Sequence, residues 1–159
     1  MRFNIYHKGE EVAKKIKKEM DYKIIIILSL SIASCEKPNP EEQKQKLSGY
    51  WEIQTVKMPN GENKDFAINT VLDYIETTAD SGVRTKVSPK FDGTFATNGV
   101  SENFTLNIEN DSLRMHYKTA FDTWTETVIE AKDSTLIVKN RDNKIYKYSK
   151  SSLSPKSGT

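Results

Sequence analysis

From Leu47 to Ser149 apolar residues alternate with polar ones in short runs, and turn-forming residues interrupt every run. This punctuation constrains the fold more than any other feature of the chain. An amphipathic helix needs a 3.6-residue period sustained over at least ~10–12 residues. No stretch after Leu47 supplies one, so the crossover helices of an α/β fold are not expected.

The runs read as strands. Tyr50 to Lys57 alternates, with Trp51, Ile53 and Thr55 on one face, and Pro59-Asn60-Gly61 closes it as a turn. Residues 62–69 read as loop with at most a helical turn. Val71 to Thr78 and Val83 to Val87 are strands separated by Ala79-Asp80-Ser81-Gly82, and Pro89 points to an edge or a bulge. Phe91-Asp92-Gly93-Thr94-Phe95 reads as a hairpin with Asp-Gly as a two-residue turn. Asn98-Gly99 marks a further turn. Phe104, Leu106 and Ile108 then share a face, as do Leu113, Met115 and Tyr117. Strands over Trp124–Ala131, Thr135–Lys139 and Lys144–Ser149 complete the pattern, separated by Asp133-Ser134 and Arg141-Asp142-Asn143.

The expected fold class is all-β: a small antiparallel up-and-down barrel of about eight to nine strands, which leaves no exposed edge. A sandwich is the alternative.

What precedes this domain differs in kind. Ile24 to Ala33 is an apolar run of about ten residues, too short for the ~20 residues that span a bilayer. Lys14, Lys15, Lys17, Lys18 and Lys23 precede it, as in an export signal. Met20 offers an economical start for the same signal. Between Glu36 and Lys46, two prolines and many charges read as a flexible tether. The expected organisation is a leader over 1–34, a tether over 35–46, a barrel over 47–150 and a frayed tail over 151–159.

Ile32-Ala33-Ser34-Cys35 resembles a bacterial lipobox. The resemblance implies that the Cys35 thiol receives a diacylglycerol, that the leader is cut before it, and that the new amine is acylated. Each buried methylene of such chains contributes ~0.8 kcal/mol, enough in combination for stable anchoring. Glu36 stands where an inner-membrane aspartate is often found, so the implied address is the outer membrane.

Composition follows from this division. Cys35 is the sole cysteine, so a lipidated chain has no disulfide and no cysteine-ligated metal site. The leader holds 7 of the 24 Lys+Arg and 4 of the 22 Asp+Glu, which leaves 17 basic against 18 acidic residues. Nucleic acid is not an indicated partner.

The domain resembles the lipocalin-like lipoproteins of bacterial envelopes. The matching residues are Leu47-Ser48-Gly49-Tyr50-Trp51-Glu52-Ile53, with its Gly-x-Trp, the Phe91–Phe95 hairpin, and Lys144-Ile145-Tyr146-Lys147-Tyr148. The resemblance implies a barrel whose closed end is crossed by Trp51, often under an arginine from a late strand. Arg141 lies in a turn, so that role is not carried to it, and residues 62–82 exceed a simple meander. Many such relatives are accessory proteins, so fold does not determine function.

The candidate lining of a ligand cavity is Trp51, Phe91, Phe95, Phe104, Tyr117 and Trp124, with Phe121 nearby. Core packing is the competing reading for Trp51. His116, between Arg114 and Lys118, falls opposite Leu113, Met115 and Tyr117 and is expected on the solvated face. It is the one histidine after Cys35, and without a cysteine partner it argues against a zinc site. Glu126 and Glu130 are four apart on a strand, hence on one face with Trp124 and Val128, and read as solvated rather than catalytic. No phosphate loop, nucleophile elbow or zinc motif is present. The expected function is a non-enzymatic, outer-membrane-anchored accessory module of an envelope complex. A carrier of a small apolar ligand is the alternative, and no cofactor is implied.

Overall fold

A computed structural model describes Lys14, Lys15, Lys17 and residues 38–153. The chain divides into two units after Lys37, and residues 38–153 belong to the second. The apolar run, the lipobox and Cys35 lie outside the described residues. So does the tail beyond Leu153.

The second unit opens with α1, Pro40–Lys46, rather than with an unbroken tether. The reason is local. The Asn39 side chain caps the helix by accepting from the Glu41 N–H, Pro40 sits in the first turn, and acidic residues precede basic ones along the axis. Charge alone suggested a solvated segment, but Gln43 is buried and Leu47 is fully buried.

Nine strands follow: β1 Gly49–Lys57, β2 Asn63–Asp65, β3 Leu72–Thr78, β4 Ser81–Pro89, β5 Phe95–Glu109, β6 Ser112–Lys118, β7 Thr123–Ala131, β8 Thr135–Lys139 and β9 Ile145–Lys150. All pairings are antiparallel, and β1 pairs with β9, so eight strands close into a barrel. The short β2 is extra. It adds to the upper part of β1 within the segment expected as loop, pairing Thr55 with Asp65. Closure leaves the barrel wall with few free edges.

Irregularities set which residues face inward. In β1 the register slips between Ile53 and Thr55. Trp51 and Ile53 point inward as expected, but after the slip Val56 is buried, while Thr55 bonds Asp65 at 3.0 Å. In β7 the register slips between Val128 and Glu130. Asn98-Gly99 is not a turn: β5 runs through it as a bulge opposite β4, and Gly99 takes φ +76 there. The Phe91–Phe95 hairpin forms, but around three residues, with the Gly93 N–H donating to the Lys90 carbonyl. Asp92 fixes that tip by accepting from the Thr94 N–H and hydroxyl. Asn110-Asp111 is the two-residue turn, both residues at positive φ.

The core contains Leu47, Trp51, Ile75, Phe104, Leu106, Leu113, Met115, Val128, Leu136 and Val138. Helix α1 packs near β6 and β7. It is tied to the β3–β4 and β7–β8 turns by the ion pairs Lys44–Asp80 and Lys46–Asp133. That end of the barrel is therefore closed. The β4–β5, β6–β7 and β8–β9 turns lie at the other.

Candidate functional site

Trp51 marks the closed end. Its indole N–H donates to the Leu47 carbonyl at 2.7 Å, which satisfies the polar atom of a fully buried ring. Lys150, from the last strand, places its ammonium 5.2 Å from the ring centroid and donates to the Ser48 carbonyl. A late-strand cation does cover the tryptophan, and it is a lysine.

A charged layer crosses the interior above this floor. Arg84 comes inward from β4. Its Nε donates to Asp73 Oδ1 at 3.0 Å, Nη1 to Glu126 Oε2 at 3.1 Å and Nη2 to the Tyr148 hydroxyl at 2.7 Å. Tyr117 accepts a longer bond of 3.4 Å. Register explains the convergence: Ile75 pairs with Arg84 and Asp73 with Lys86, so these side chains share the inner face of β3 and β4. Lys86 adds a second cation, 2.6 Å from Asp73.

The electrostatics follow from burial. Burial alone would raise the Asp73 carboxyl, but Arg84 and Lys86 outweigh it and hold the group below its ordinary range. For Glu126 burial wins over Arg84, and the carboxyl is raised. Burial also raises the hydroxyls of Tyr117 and Tyr148. Arg84 remains a cation because the tyrosines and carboxylates around it outweigh its own desolvation. A buried charge persists only when paired in this way.

The expected cavity-lining residues are not one group. Trp51, Phe104 and Tyr117 are inward and buried at 0%, 3% and 2% exposure. An empty cavity against them would leave accessible area, so they pack as core. Trp124 stacks on Tyr117, with centroids 4.7 Å apart. Phe91 does not line the interior: it sits at the hairpin tip, fully exposed, as is Phe121 at the β6–β7 turn. Phe95 does not line it either. It stacks with Tyr50, 4.8 Å between centroids, and Tyr50 stacks in turn on Tyr74. The strand pairings place Tyr50 and Tyr74 opposite each other, next in sequence to the inward Trp51 and Asp73, and therefore on the outer face.

Glu126 and Glu130 correct the reading of β7. The slip after Val128 separates them: Glu126 is buried in the charged layer, whereas Glu130 bonds Lys132 at 2.7 Å on the outside. His116 faces outward. Its ring nitrogens lie 2.9 Å from the Thr125 hydroxyl and 2.8 Å from Glu109. Among the described residues no group of His, Cys, Asp and Glu is arranged to hold a metal.

The Arg84 cluster was missed in sequence. Its available signal was the alternation Val83, Thr85, Val87 against Arg84, Lys86 in β4. That pattern suggests Arg84 is outside, and nothing local shows that its partners come from β3, β6, β7 and β9.

A closed eight-stranded barrel with one end sealed by a short helix and a tryptophan defines a class of small β-barrel proteins. The sequence comparison agrees: a model of the lipocalin-like domain matches residues 47–138, more than half of the chain, and the chain belongs to that family. Among solved structures it is similar to a lipocalin-like protein from Bacteroides uniformis, at 12% identity and a TM-score of 0.44. That alignment covers 67% of this chain and 99% of the other. It is also similar to apocrustacyanin C1, at 11% identity and a TM-score of 0.41, covering 74% and 72%. No curated protein sequence matches the chain.

Proposed function

We propose that the protein is a non-enzymatic, lipid-anchored module of the cell envelope, attached through Cys35 to the outer membrane and acting by contact with an envelope assembly. The observation that supports this reading is the filled interior. From Leu47 at the floor to Tyr117 and Tyr148 at the charged layer, side chains are nearly inaccessible. A barrel packed in this way offers partners its mouth and its outer wall. The sequence over Ile32–Cys35 supports the address.

Two measurements test it. Wild-type protein is expected to incorporate a fatty-acid analogue and Cys35→Ser to lose the label; label that persists in Cys35→Ser refutes the anchor. Mild extraction from envelopes is expected to recover the protein with a partner in fixed ratio. Recovery as a lone chain refutes the accessory role.

Carriage of a small ligand is the second reading. The family supports it, and so does a recess of about 50 Å³ between Arg84, Lys86, Asn98, Val100 and Glu102. The charged lining favours a small polar guest over the apolar one expected from sequence. Native mass spectrometry that finds a bound small molecule favours this reading over the first.

A further inference from the structure

The outer wall carries a groove of about 720 Å³ across β3 to β7. It follows from the pleat. Successive strands place Thr105, His116 and Thr125 in one cross-strand row, each paired with the next. Two residues along, Asn103, Lys118 and Thr123 form the parallel row. Between the rows, Phe104, Tyr117 and Trp124 turn inward and leave backbone as the floor. Five strands at a spacing of about 4.8 Å make the groove ~19 Å long. Its volume is within the ordinary range for ligand sites, ~300–1,000 Å³.

We propose that this groove is a binding site for a short, linear, neutral oligosaccharide. The lining chemistry selects that class. One wall presents the Thr105 and Thr125 hydroxyls and the His116 imidazole, and the other presents the Asn103 amide, the Lys118 ammonium and the Thr123 hydroxyl, so donors and acceptors line both sides. The side chains of Asn103, Thr105, Lys118 and Thr123 make no hydrogen bond among the described residues, so they are available to a guest. Glu76 and Lys118 are opposite charges on the lining and cancel, so no anion or cation is favoured. The floor amides are already paired in the sheet ladder, which denies a peptide the main-chain bonds of an added strand. The length of the groove favours a chain of sugars over a single one. One wall is rigid before any ligand arrives. His116 is held between Thr125 and Glu109, and Glu109 also lies 3.2 Å from Arg114 Nε. Such pre-organisation lowers the ordering cost of binding.

The site is independent of the anchor at Cys35 and of the recess at the mouth. To test it, the full chain in a zwitterionic detergent is titrated with maltotetraose, cellotetraose and chitotetraose by calorimetry. At least one sugar is expected to bind with a Kd below about 1 mM. Thr105→Trp, which fills the groove from its wall, and Asn103→Ala, which removes an amide, are each expected to weaken that binding by about tenfold, or ~1.4 kcal/mol. Both positions face solvent, and an unchanged circular dichroism spectrum shows that the barrel is intact. Absence of binding by all three sugars overturns the proposal, as does unchanged affinity in both variants. Displacement of the bound sugar by tetra-alanine also overturns it, since the groove then accepts a peptide.

Discussion

The interior around Leu113 and Met115 and the interior around Arg84 are comparably buried, yet they are held in different ways. Leu113 and Met115 are fully buried among Leu47, Leu106, Val128 and Leu136. Their contribution scales with apolar area and the fit of neighbouring side chains. Arg84 and Asp73 are buried by charge pairing, with desolvation opposing every contact. The apolar region tolerates small adjustments of shape. The charged layer depends on a fixed set of partners, so losing one member leaves the others exposed to the full cost of burial. Two kinds of core in one small barrel make specific, separable predictions.

The largest expected effect is Arg84→Leu. It leaves Asp73 and Glu126 in a desolvated interior and is expected to destabilise the domain by about 4 kcal/mol, within the range for breaking a buried ion pair. Urea unfolding reads it directly, and a loss below ~1 kcal/mol would erase the distinction between the two regions. Leu113→Ala follows at about 3 kcal/mol, the sum of lost transfer energy and a cavity. Because this region is held by shape, Leu113→Met is expected to recover most of that loss in the same assay. A third variant, Gly82→Ala, probes the boundary between them. A Cβ there overlaps the Phe104 ring and meets the Glu76 carbonyl at 2.8 Å. Overpacking of this kind costs about 2 kcal/mol, and an unchanged melting temperature would show that Phe104 can turn aside.

The smallest effect is the most diagnostic. The Glu126 carboxyl is raised by burial, so the folded state favours its protonated form. The stability this contributes is present below the unfolded value of 4.5 and is lost as pH rises through the folded value. Asp73 is lowered, so its contribution has the opposite sign: present above 3.8 and lost as pH falls. Glu126→Gln is therefore expected to gain stability relative to wild type as pH increases above 4.5, with the difference shrinking in acid. Parallel pH–stability curves for the two proteins would remove Glu126 from the layer.

The same contrast explains what could be read in the sequence. The strand count, the barrel and the inward Leu113, Met115 and Tyr117 follow from local alternation, which burial on one face enforces. Element identity failed where local chemistry was ambiguous. Pro40–Lys46 looked like tether because its burial depends on Leu47 and on acidic turns far along the chain. Asn98-Gly99 looked like a turn because a bulge and a hairpin demand the same left-handed residue. The site was less legible than the fold. A slip of one residue after Val128 decides that Glu126 is inside and Glu130 outside, and no residue type near Ile129 announces it. Arg84 has partners from four strands, which only closure brings together.

That closure joins the first strand to the last. Trp51 pairs with Lys150, and the Ser151 N–H donates to the Tyr50 carbonyl. The seam therefore links residues separated by nearly the whole domain, the arrangement that makes folding slow because loop closure precedes its reward. While the chain emerges from a ribosome, β1 waits with an unpaired edge until Ile145–Lys150 arrives. The time between those events is when the domain is most exposed to a chaperone, a protease or another copy of its own first strand.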